Sequence, residues 1–324
     1  MISFLFYLGF LLGFVVGAVY VERKIAAFIQ ARLGPMEVGP KGLFQTIADL
    51  VKMLQKQDVR PASVDLVPFL IAPIIVFASV FAGYAVLPVN AEIGGSGIGT
   101  GLFFLLAIVS LDILGILMAG WASNNKFSLF GSMRSVAQIV SYEIPLGLSA
   151  LSVVLYAGTL DLQEMCFLQN EGILSWNIVR CPLLLPVFII FFIAGLAESN
   201  RTPFDLPESE SELIGGFQTE YSGFRWGMFM LAEYGMMLLV ALFGAVLFFG
   251  GWSSPVAGFA DSVVFNTFWL IAKASVLIFI MMWIRWTLPR LRVDQLMNLS
   301  WKYLTPASVL LLFAVAGWKL WVIT

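Results

Sequence analysis

Four ionisable side chains, Asp112, Glu143, Glu233 and Lys273, stand inside apolar stretches long enough to cross a bilayer. Ionisable groups are costly there and face a cavity or a partner. Counted at the helical rise from the ends that carry basic residues, Glu143 and Glu233 lie roughly 10 Å deep, Asp112 roughly 15 Å and Lys273 roughly 18 Å. They form a ladder from one surface to the midplane. Its members either neutralise one another, Asp112 with Lys273 for instance, and lock helices together, or they line a buried proton path or polar cavity.

A second acidic set fills the 198–225 connection, where Glu198, Asp205, Glu208, Glu210, Glu212 and Glu220 face only Arg201 and Arg225. In water this is a solvated charge run. Folded into a cavity, the acids raise one another's pKa and become proton acceptors near neutral pH. Pro203 and Pro207 prevent a continuous helix through the first half. The interleaved Phe204, Leu206, Leu213, Ile214 and Phe217 argue for an ordered loop packed on something.

What is missing narrows the chemistry further. With no histidine, the chain lacks the commonest general base and the commonest zinc and haem ligand. Cys166 and Cys181 alone are too few for an iron–sulfur cluster, so no metal site is expected and any redox centre belongs to a partner. A disulfide between them is chemically possible if their shared connection faces an oxidising compartment. No phosphate-binding loop occurs, and the glycine-rich run 94–99 reads as a connecting loop. A net charge of -2 gives no basic field for nucleic acid.

The elements that must position these acids are helices in lipid. Hydrophobic residues make up 60% of the 324 and charged residues only 12%, which a water-soluble domain cannot accommodate. Apolar stretches at approximately 2–20, 66–88, 101–122, 137–159, 182–197, 226–250, 263–286 and 303–323 predict about eight transmembrane helices. The fold class is therefore all-α, a single integral membrane helix bundle over 1–324. Fifteen of the 18 basic residues fall on the connections after the first, third, fifth and seventh spans. The positive-inside rule then places those connections in the cytoplasm and both termini outside.

Within 41–57 a further helix is expected that does not cross. Leu43, Phe44, Ile47, Leu50, Val51 and Leu54 share one face, with Gln45, Asp49, Lys52 and Lys56 on the other. It either lies flat on the membrane or packs under the bundle or against a partner. In the fourth span, Pro145 removes an N–H and frees the carbonyl of Ser141, which makes either a hydrated break beside Glu143 or a plain packing kink.

Several segments resemble the H subunit of NADH-quinone oxidoreductase, respiratory complex I. They are Glu22-Arg23-Lys24, Gln30-x-Arg32-x-Gly34-Pro35, the run from Val38 through Asp49 to Lys52, and 120–126. Ser141-Tyr142-Glu143, the acidic loop from Ala197 to Leu213 with Glu220-Tyr221-Ser222-Gly223, and 288–297 add to them. The resemblance covers the whole chain and implies a subunit at the junction of the hydrophilic and membrane arms, in the cell inner (plasma) membrane. Quinone is then the substrate, and the flavin and iron–sulfur clusters sit on partner complex I subunits. It assigns Glu22, Arg23, Arg32, Asp49 and Arg201 to the quinone chamber. Glu143, Glu198, Asp205, Glu208, Glu210, Glu212, Glu220 and Glu233 fall to the coupling path. The membrane subunit of a proton-pumping hydrogenase complex, which shares parts of the first loop, is the alternative.

Overall fold

A computed structural model describes residues 2–93, 95, 97–206, 214–256 and 262–323. Of the expected site residues, Glu208, Glu210 and Glu212 lie outside the described residues, as do Gly94 and Ser96 of the glycine-rich run. The regular elements among the described residues are helices: α1 Ile2–Ile29, α2 Gln45–Gln55, α3 Leu66–Gly83, α4 Gly101–Val109, α5 Leu111–Ala122, α6 Lys126–Ala157 and α7 Leu162–Phe167. There follow α8 Asn177–Arg180, α9 Leu184–Glu198, α10 Gly223–Phe248, α11 Val263–Thr287, α12 Val293–Asn298, a π-helical turn Leu299–Leu304 and α13 Thr305–Ile323. Among the described residues seven helical stretches are long and apolar enough to cross a membrane, and the shorter apolar α9 makes the eighth element of the bundle.

The layering follows from burial. In α10, 89% of the most apolar window is buried, against 22% in α1 and α11 and 17% in 293–321, so α10 is the axis and the others form the wall. It packs on α3, α9 and α11, while α6 packs on α5, α9 and α13. Outward faces remain apolar, as at Leu310, Phe313 and Trp321, because the surrounding solvent is hydrocarbon.

Among the departures from the expected boundaries, α3 ends at Gly83 and the 101–122 span is interrupted at Ser110 between α4 and α5, while three others bear on the site. α1 runs on to Ile29, so Arg23 and Lys24 are helical instead of belonging to a connection. α6 begins at Lys126 and not near 137, because Asn125 caps it by accepting from the Phe127 N–H at 3.0 Å. Its first half is rich in serine and buries that polar face on protein, so hydropathy alone does not reveal it. The last span starts early, through α12 and the π-helical turn.

The carbonyl freed by Pro145 in α6 meets protein donors from the last span. Ser300 Oγ donates to the freed Ser141 carbonyl at 2.6 Å, Trp301 Nε1 donates to Ser141 Oγ at 3.2 Å, and Tyr142 OH donates to Leu296 O at 3.0 Å. The carbonyl that proline leaves open is taken by the π-helical turn of the last span.

Along and just before α2 the apolar residues Leu43, Phe44, Ile47, Leu50, Val51 and Leu54 are all exposed, and Leu50 and Leu54 line a large cavity. The helix packs on α1 and α10. Just before it, Gly42 adopts φ +75° and brings its backbone against the Pro35 carbonyl, where any Cβ would clash.

Candidate functional site

Helix α1 brings Glu22 into the interior, and the chain beyond α9 returns Arg201 to meet it. Both are almost fully buried, at 4% and 2% exposure. Arg201 Nη1 donates to Glu22 Oε2 at 2.9 Å. Its Nε lies 2.8 Å from Glu233 Oε1 on α10, an ion pair off the N–H axis. Tyr234 OH donates to the same Glu22 oxygen at 2.8 Å, and Arg285 Nη1 of α11 donates to Oε1 at 2.5 Å. Burial works against the Arg201 charge, but the carboxylates of Glu233 and Glu22 outweigh it and raise its pKa further. Two acids and two guanidinium groups thus balance where an unpaired charge would be intolerable.

On one side of this cluster opens a cavity of about 910 Å³ between α1, α2, α10 and α11. Leu12, Val15, Val16 and Val19 line it from α1, Leu50, Met53 and Leu54 from α2, and Phe224, Trp226, Met230 and Leu231 from α10. Glu22, Tyr234, Arg285 and Trp286 supply its polar end, and Arg23, Arg32, Asp49, Lys52 and Lys56 are charged residues on its wall. The volume and apolar walls suit a large amphipathic molecule held by a few polar groups. Arg23 Nη1 meets Asp49 Oδ2 at 2.6 Å and joins α1 to α2. Beyond α2, Asp58 pairs with Arg225 at 3.1 Å, and the Ser222 hydroxyl bonds both backbone groups of Val59.

On the other side lies a small cavity of about 30 Å³, lined by Asp112, Glu198, Asn200 and Glu233 among others. That volume holds one or two waters. Asp112 Oδ1 and Glu198 Oε2 are buried there with no hydrogen-bond partner among the described residues. Glu143 is within electrostatic reach of Glu198.

Asp205 stands apart. Arg290 Nη2 donates to its Oδ2 at 2.9 Å, and burial raises its pKa against the lowering pull of Arg290, Arg285 and Arg201. Glu220 is also apart, accepting from Asn125 Nδ2 at 2.6 Å at the start of α6.

The structure therefore brings Asp112, Glu198 and Glu233 to one cavity and Glu22, Arg23, Arg32 and Asp49 to another. Arg201 lies between them and pairs with neither Glu198 nor Asp205. Lys273 does not neutralise Asp112. Its ammonium donates to the carbonyls of Phe249, Gly251 and Ser253 at 2.7, 3.0 and 2.7 Å, and lies 4.6 Å over the Trp176 ring. Cys166 and Cys181 are both free and buried, and burial pushes the Cys166 thiol up to about 12.

Tyr234, Arg285 and Trp286 are site residues that sequence reasoning missed. Tyr234 adjoins Glu233, which was the signal available. Arg285 carries no local signal beyond a basic charge at one end of its helix.

The family model described as NADH dehydrogenase matches residues 2–316. One NADH-quinone oxidoreductase H subunit of Cytophaga hutchinsonii, numbered 2 in that organism, is 48% identical, over 98% of this chain and 98% of its own length. The NADH-quinone oxidoreductase H subunits of Chlorobium luteolum and Brevibacillus brevis are each 48% identical, over 94% and 93% of this chain and 84% and 88% of theirs. A match of this extent, on a bundle that buries Glu22, Glu198 and Asp205 of those motifs, places the chain in the NADH dehydrogenase family.

Proposed function

We propose that this chain is the membrane subunit of a proton-pumping NADH-quinone oxidoreductase that houses the quinone and couples its reduction to proton movement. The relatives' names favour this over the hydrogenase reading. One observation carries the coupling: Glu22 faces the large cavity, Glu233 faces the small one, and Arg201 touches both, at 2.9 and 2.8 Å.

In this reading the isoprenoid tail lies along the apolar walls of α1, α2 and α10, and the head group passes the polar end at Glu22, Tyr234 and Arg285. Electrons arrive from flavin and iron–sulfur centres on hydrophilic partner subunits. Reduction of a quinone takes up two electrons and two protons, so charge and proton demand change beside the cavity. A change in the charge felt by Glu22 shifts Arg201 toward one carboxylate or the other and alters the field at Glu233. Glu233, Glu198, Asp112 and Glu143 then pass protons toward neighbouring membrane subunits, and the acidic loop with Asp205, Glu208, Glu210, Glu212 and Glu220 couples the quinone chemistry to that charge movement. The basic connections face the cytoplasm of a cell whose inner membrane holds the complex, and lipid covers the outer apolar faces.

Purification of the tagged chain from its own membranes tests the assignment. Recovery with a flavin-containing NADH:quinone oxidoreductase is expected. Recovery with a nickel–iron hydrogenase, or as a lone active transporter, overturns it.

A further inference from the structure

The carboxylate path proposed above needs a supply of protons to Glu198, and the first half of α6 offers a route. Ser128, Ser132, Ser135 and Gln138 are fully buried, and their helical spacing keeps them in one stripe. A serine inside a helix ordinarily bonds a carbonyl of the preceding turn. Ser132, Ser141 and Ser152 do so here, donating to Leu129, Ala137 and Leu148 at 2.9, 2.6 and 2.9 Å, and Ser149 donates to Pro145. Ser128 and Ser135 are the exceptions: neither hydroxyl has a hydrogen-bond partner among the described residues.

Gln138 continues the pattern. Its amide nitrogen donates to Ala197 O at 2.8 Å and Asn200 Oδ1 at 3.2 Å, while its own Oε1 is buried without a donor among the described residues. Asn200 lines the small cavity together with Glu198 and Asp112, which also hold unpartnered oxygens. At the other end Glu220, half-buried, accepts from the Asn125 that caps α6, one turn before Ser128. Unsatisfied polar atoms therefore recur at Ser128, Ser135 and Gln138 over about 15 Å of α6 by helical rise.

Enclosed polar atoms without partners are rare, and the ordinary resolution is water between them. We propose that Ser128, Ser135 and Gln138 hold a file of water molecules from Glu220 along α6 to Glu198, through which protons enter the carboxylate cavity. Each hop conserves the file. An oxygen accepts one proton through a hydrogen bond and releases another to the next oxygen, no electron moves, and the last proton rests on the Glu198 carboxylate. The proposal rests on the carboxylate-path reading.

The test uses the intact complex in membrane vesicles, with Ser128→Ala and Ser135→Ala singly and together, Ser152→Ala as a buried-serine control, and Glu198→Gln beside them. The double variant is expected to slow quinone-dependent, pumping turnover about fivefold, the rate equivalent of one hydrogen bond lost from a barrier. Its solvent deuterium isotope effect should rise, while electron transfer from NADH to a hydrophilic acceptor and the Ser152→Ala control stay unchanged. Unaltered turnover with raised thermal stability in the double variant shows dry hydroxyls and overturns the file; if Glu198→Gln still impairs pumping, the carboxylate path stands without it. Equal slowing by Ser152→Ala also overturns the file, because the effect is then general to α6 packing. If Glu198→Gln changes nothing, the carboxylate path fails and the file fails with it.

Discussion

The Arg201 guanidinium lies 4.2 Å over the Tyr234 ring, and both residues donate to the same oxygen of Glu22. Tyr234 also forms part of the wall of the large cavity, and Arg201 pairs with a carboxylate of the small one. The stack is thus a physical contact between the chamber and the buried acids. An occupant that draws the Tyr234 hydroxyl away from Glu22 leaves that carboxylate to the two arginines alone.

Tyr234→Phe keeps the ring and its stacking but removes the hydroxyl from Glu22. A hydrogen bond to a charged group of this kind sets the expected loss at about tenfold in quinone-dependent turnover. Transfer from NADH to a hydrophilic acceptor should be untouched. Equal loss of both activities would instead indicate failed assembly.

Replacing Arg201 is a different order of change. Arg201→Met fills the space but leaves Glu22 and Glu233 sharing one cation, and breaking a buried pair costs about 3–5 kcal/mol. Loss of the subunit from the assembled complex, read on a native gel, is the expected result. A fully assembled Arg201→Met complex would show that the two acids are protonated in the resting state.

Arg23 and Asp49 are more than a third and about a third exposed respectively, so their ion pair contributes only about 0.2–1 kcal/mol to stability. Its effect should appear in function. Arg23→Ala frees α2 at the chamber wall and should lower quinone-dependent turnover, chiefly through a higher KM for quinone, with an unchanged melting temperature.

Asp205 predicts a pH dependence. Burial raises its pKa above the ordinary aspartate value in spite of Arg290, Arg285 and Arg201. The folded protein therefore holds this proton more tightly than the unfolded chain does. That contribution is full at low pH and is lost as pH rises from about 4 through the raised folded value. Asp205→Asn has nothing to titrate, so the melting temperature of the natural complex should fall relative to the variant over that window. A rise would show that the Arg290 pair outweighs burial.

How much of this was legible in the sequence depends on the range of each interaction. Asp112, Glu143 and Glu233 stood out because a charge in an apolar run is expensive wherever the chain folds. The partners of Arg201 did not, since Glu22 and Glu233 are distant in sequence and nothing local to the acidic loop points to either. The early start of α6 was hidden for a related reason: a helix whose serines face protein carries no hydropathic signal, and only the Asn125 cap marks it. The amphipathic pattern of 43–54 was plain, but which solvent its apolar face meets depends on what surrounds the chain.

The carbonyl freed by Pro145 follows from the sequence, and the structure supplies the donor that takes it, Ser300 Oγ at 2.6 Å from Ser141 O. This makes a prediction in which two substitutions do not add. Ser300→Ala strands a buried carbonyl and should cost about 1–3 kcal/mol. Pro145→Ala restores an N–H that competes for that carbonyl, so in the Ser300→Ala background it should recover most of the loss. In the natural background it displaces Ser300 and gains little. The coupling between the two sites, measured by melting of the four complexes, should therefore be favourable and of order 1 kcal/mol. Strict additivity would mean that the local arrangement persists without proline, held by Tyr142 on Leu296 and Trp301 on Ser141.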